Sequence, residues 1–165
     1  MLAESPNEKV LEGLVLGAVA DIPLRIEYRV VCHLNWQTSV VDVRQQYGRK
    51  ETLLALVRDD AGAWICDGQP MPALEGCADV DLSFSPSTNT LPIRRLALAI
   101  GASETIDAAW VLFPDLEVRA SRQTYTRLSD QSYRYASEDF AAELGVDAAG
   151  LVTDYWEWQR IALMA

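Results

Sequence analysis

LRIEYRVVCHL, residues 24–34, carries Leu24, Ile26, Tyr28, Val30, Cys32 and Leu34 on one phase, and Arg25, Glu27, Arg29 and His33 on the other. Successive side chains of a strand point to opposite faces, so this period of two predicts a half-buried strand with a charged outer surface. The pattern spreads in both directions. WQTSVVDVRQQY and ETLLALVRD follow with YGRK as the turn between them, and DDAG leads into AWICDG as a further hairpin. ADVDLSF, LPIRRLALAI, ETIDAAWVLF, LEVRASRQTYTRL, SYRYAS and GLVTDYWEWQRIAL continue the series. The chain therefore reads as mainly β, largely antiparallel, with about ten or more strands. Only ASEDFAAELG reads as a helix, over residues 138–144, with Ser137 as its N-cap and Gly145 to stop it.

The 165 residues contain 14 basic and 24 acidic side chains, a formal charge of -10. One domain over residues 1–165 is expected, large enough to bury roughly 70% of its unfolded surface without metal or disulfide staples. The acidic field repels phosphate backbones, which excludes nucleic acid as a natural partner. Cys32, Cys66 and Cys77 are odd in number and match no common zinc spacing, so they read as reduced thiols with no metal role. MLAESPNEKVLEG has acids where an export signal carries a basic region. The apolar run Leu14–Ala20 falls far short of the roughly 20 residues that a membrane-spanning helix needs. These features predict a cytoplasmic chain without a membrane-spanning segment. They leave self-association open.

The stretch GCADVDLSFSPSTNTLPIRRL, residues 76–96, concentrates charge within two apolar runs. Val80, Leu82 and Phe84 take one phase; Asp79, Asp81 and Ser83 take the other, with the carboxylates roughly 7 Å apart along the strand. If SPSTNT closes a hairpin, Arg94 or Arg95 falls opposite an aspartate, either as a cross-strand ion pair or as a polar floor that grips a phosphate, carboxylate or sugar. The apolar phase also shifts from Leu91 and Ile93 to Leu96, Leu98 and Ile100, which predicts a bulge and sheet curvature at the arginines. LEVRASRQTYTRL is polar on both phases, as at a sheet edge or in a wet concavity. His33 is the lone histidine, and the sequence has no G-x-S-x-G elbow, H-E-x-x-H, phosphate-cradling loop or dinucleotide fingerprint. The residues point to no cofactor and to no catalytic set. Five tryptophans and six tyrosines suit a concave sheet that takes an amphiphile or a sugar face.

GCADVDLSFSPSTNTLPIRRL, AAWVLFPDLEV, YTRLSDQSYRYAS and GLVTDYWEWQRI together resemble the glycolipid-binding family. The similarity runs from about Leu16 to Ile161 and implies a strongly curved, largely antiparallel half-barrel, similar to carriers that shuttle lipoproteins. It implies a glycolipid-like partner and transfers no catalytic residues. The expected site has the tail against Tyr28, Trp36 or Trp156 and the headgroup near Arg94 or Arg95, with Asp79 and Asp81 orienting the arginines. The competing expectation is a cytoplasmic hydrolase or isomerase that acts on a small polar substrate through Asp79, Asp81, Arg94 or Arg95.

Overall fold

The computed structural model describes residues 1–138, 140–156 and 158–161 as two seven-stranded sheets. Strands β1 (Leu2–Glu4), β2 (Lys9–Val19), β3 (Ile22–Cys32), β4 (Thr38–Tyr47), β5 (Lys50–Arg58), β6 (Trp64–Cys66) and β7 (Gln69–Pro70) form an antiparallel meander in chain order. Its two-residue turns follow from local chemistry. Ala20 and Asp21 both take positive φ between β2 and β3, and Gly48, at φ +58, opens the turn to β5; such turns match the twist of the flanking strands. The period of two in β3 is realised as read: Ile26 and Val30 are fully buried, while Arg25 pairs with Glu27 and Arg29 with Glu12 outside.

The second sheet begins with β8 (Asp79–Leu82), which is followed by α1 (Thr90–Leu96). The strands β9 (Ser103–Leu112), β10 (Glu117–Arg127), β11 (Ser132–Ser137), β12 (Phe140–Val146), β13 (Val152–Tyr155) and β14 (Trp158–Gln159) complete it. Consecutive strands are neighbours, and the sheet curls into a half-barrel. All its pairings are antiparallel except β8–β9, which is parallel in the register Asp79↔Ala108 to Leu82↔Val111. A parallel pair needs a crossover, and the 20 residues that carry α1 supply it.

One core lies between the inner face of the meander and the crossover: Ile26, Val30, Val41 and Leu56 meet Val80, Leu82, Leu91 and Val111. Burying each such side chain contributes about 1.5–3 kcal/mol. A second cluster on the other side of β9 and β10 joins Ile93 of α1 to Tyr125, Tyr133, Tyr135, Leu144 and Val146. Thr38 ties the two sheets together: its amide donates to the Ala78 carbonyl at 3.0 Å and its hydroxyl accepts from the Val80 amide at 3.1 Å.

Four local expectations are corrected. Residues 76–96 do not form a hairpin, because TLPIRRL winds into α1; Pro92 sits in its first turn, the arginines fall in its last turn, and Ala97 ends it at φ 45. The phase shift at Arg94 and Arg95 is thus helical geometry and not a bulge. The helix expected over 138–144 is β12, where Phe140, Ala142, Leu144 and Val146 alternate inward against β11 and β13. Asp139 of that stretch lies outside the described residues, as do Glu157 and residues 162–163 of the terminal strand. LEVRASRQTYTRL contains β10, which has neighbours on both sides and is not an edge.

Candidate ligand-binding site

Arginines adjacent in sequence leave a helix about 100° apart, so Arg94 and Arg95 reach different surroundings. Arg95 turns towards β8. Its Nε donates to both carboxylate oxygens of Asp79 at 3.1 Å, and its Nη2 donates to Oδ2 at 2.5 Å. The aspartate is 1% exposed, so the pair lies on a buried face. Burial pushes its carboxyl up against the opposing pull of Arg95. Asp81, two residues on, has no cation within salt-bridge distance among the described residues. It accepts instead from Gln123 Nε2 at 2.7 Å and from the Thr88 hydroxyl at 3.2 Å, and burial holds its carboxyl above the ordinary range.

This polar interior extends through Tyr125, whose hydroxyl donates to Asn89 Oδ1 at 2.8 Å. Desolvation, with Asp81 nearby, raises the Tyr125 phenol and lifts Tyr135 to about 12. The network is occupied internally, as a bracket for the 85–89 turn: Thr88 also accepts the Leu82 amide at 3.1 Å. Arg94 lies elsewhere, its guanidinium 5.2 Å from the centre of the Trp36 ring, which Lys9 also approaches at 5.6 Å. Trp36 is 6% exposed. The four charges expected to act together are therefore one buried pair, one neutral-bonded carboxylate and one arginine stacked on an indole.

Tyr28 leads to a different place. Its hydroxyl lies 3.1 Å from Ser85 Oγ and 2.8 Å from Ser87 Oγ, and the two serine oxygens are 2.9 Å apart. This hydroxyl triangle forms the floor of a groove of about 700 Å³ between the edges of the two sheets. Leu2, Leu11 and Val15 form one wall; Leu151, Val152 and Trp158 form the other. Both edges are thinly covered among the described residues: β1 pairs with Lys9–Leu11 of β2 and Met1 with Glu12, while β14 pairs with Asp154 and Tyr155 of β13 and the Arg160 amide with the Thr153 carbonyl. Gly13 is needed there, since a Cβ would fall 2.2 Å from the Tyr28 ring. Trp156, 68% exposed, sits beside Phe140 with ring centres 5.4 Å apart.

A family model described as "Putative glycolipid-binding" matches residues 1–160. The chain belongs to this family. Among solved structures it is similar to the crystal structure of a DUF1089 family protein from Pseudomonas aeruginosa, with 34% identity and a TM-score of 0.87 over 98% of this chain and 90% of that one. The curated proteins gave no match. The family is described by binding and not by catalysis. No helix among the described residues is long and apolar enough to cross a membrane.

Ser85, Ser87, Val15 and Trp158 did not stand out in the sequence as a site. Val15 belongs to the apolar run already noted, and the serines to the SPSTNT turn. The missing information was the approach of the two sheet edges, which brings residues 28 and 87 together.

Proposed function

We propose that the groove between the sheet edges binds an amphiphile whose head is uncharged and rich in hydroxyls, such as a glycolipid, and that the protein acts on it by binding alone. The observation that carries this reading is the pairing of apolar walls with the Tyr28, Ser85 and Ser87 floor. Three hydroxyls hold more acceptor sites than their mutual bonds use, so they can receive sugar hydroxyls, and the walls can shelter an alkyl chain. Family membership supports the ligand class. Asp79, Asp81 and Arg95 then serve from behind as positioning residues, because they fix α1 and, through Thr88, the turn that presents both serines. Trp36 and Arg94 brace the same region, and exposed Trp156 offers a further apolar contact. Action in a reducing compartment such as the cytoplasm is supported by three free thiols.

Titration with alkyl glucosides of increasing chain length, below their micelle concentrations and followed by tryptophan fluorescence, tests the proposal. Each methylene that enters the groove should contribute about 0.8 kcal/mol until the groove is full, and Val15→Asp should abolish the gain. Affinity that does not depend on chain length would overturn it.

A further inference from the structure

A second cavity, of about 600 Å³, opens on the far side of the meander, between the ends of β5 and β6 and the 70–76 turn. Pro70, Met71 and Pro72 give it an apolar wall, Trp64 stands at its back, and Arg58 lines one side. The arginine is held in place by the backbone: its Nε donates to the Cys77 carbonyl at 3.0 Å, and the same oxygen accepts Trp64 Nε1 at 2.9 Å. Gly62, at φ +91, passes so close that a Cβ there would lie 2.9 Å from Arg58 Nη2. The guanidinium is thus oriented before any ligand arrives.

It also has no direct ion pair among the described residues, although its field reaches the buried Asp79. The other half-buried arginines, Arg29, Arg95 and Arg127, each lie within 4 Å of a carboxylate. Arg58 meets none among the described residues, in a chain with ten more acids than bases. A fixed cation beside an apolar cavity is a complement to one anionic group on a hydrocarbon body. The charge on that ligand is limited to one, because Glu75 shares the rim and the overall field is negative. We propose that this crevice is a second binding site, for a small apolar monocarboxylate, with Arg58 taking the carboxylate and Pro70, Met71 and Pro72 its hydrocarbon. It stands independently of the groove and of its ligand.

Calorimetric titration of the full chain with octanoate and with octanol tests the assignment. Octanoate should bind at one site at least tenfold more tightly than octanol, and Arg58→Gln should remove that preference. Val15→Asp, which disables the groove, should leave octanoate binding unchanged. In the unmodified protein, octanoate should shift the indole N–H resonance of Trp64 and not that of Trp158, a readout that does not depend on the variant folding. Octanol binding as tightly as octanoate, a preference that survives in Arg58→Gln, or a shift confined to Trp158 would each overturn the proposal.

Discussion

The β2–β5 meander and the crossover from β8 through α1 bury similar apolar side chains, yet different forces hold them. Each meander strand is secured by its neighbours' backbones, and its charges pair in water: Arg29 with Glu12, and Arg44 with Glu51 at 2.7 Å. The crossover has few ladder bonds. It relies on buried polar contacts, namely Arg95 on Asp79, Thr88 and Gln123 on Asp81, and Thr38 on Val80. A region built in the first way tolerates loss of a polar group, whereas one built in the second way is left with an unpaired group in a dry interior.

The largest expected difference is between the two kinds of ion pair. Arg95→Ala leaves Asp79 buried without its partner, and should cost about 3–5 kcal/mol in urea unfolding. If it costs no more than an exposed pair, the contrast between the regions is broken. Gly13→Ala comes next, at about 1–3 kcal/mol, because the methyl must displace the Tyr28 ring; alkyl glucoside binding should weaken with it. If stability falls while binding holds, Tyr28 is a packing residue only.

A pH series sharpens the comparison further. Burial raises both Asp79 and Asp81, so the folded state keeps protons that the unfolded chain has already released. The stability they contribute is therefore present below the unfolded carboxyl pKa and falls as pH rises through the folded values. Asp81→Asn should flatten that decline and leave the part due to Asp79; an unchanged slope would remove Asp81 from the account. The smallest effect is expected on the exposed face of the meander, where Arg44→Ala should cost about 0.2–1 kcal/mol and less at high salt.

The same contrast explains what the sequence disclosed. Over residues 24–30 of β3 the environment of each residue follows from its own phase, so strand, faces and outer charges were all legible there. The pairing of an arginine with Asp79 was legible too, since both charges lie within 16 positions. Its geometry was not, because LPIRRL has an apolar pattern that fits a strand or a helix, and the parallel β8–β9 pairing decides between them. ASEDFAAELG failed for the converse reason: its helix formers are overridden by partners on both sides. The groove was the least legible feature. Its floor joins Tyr28 to Ser87 across 59 positions, and Gln123 reaches Asp81 across 42, separations that no local period encodes.

The central claim is that an amphiphile lies between the two sheet edges. The most direct measurement is paramagnetic broadening in amide spectra of the full chain with an alkyl glucoside spin-labelled at its tail. The account predicts loss of signal at Val15 and the Trp158 indole, with Arg44 and Trp36 unaffected. Broadening centred on Trp36 and Arg94, with Val15 and Trp158 intact, would contradict it.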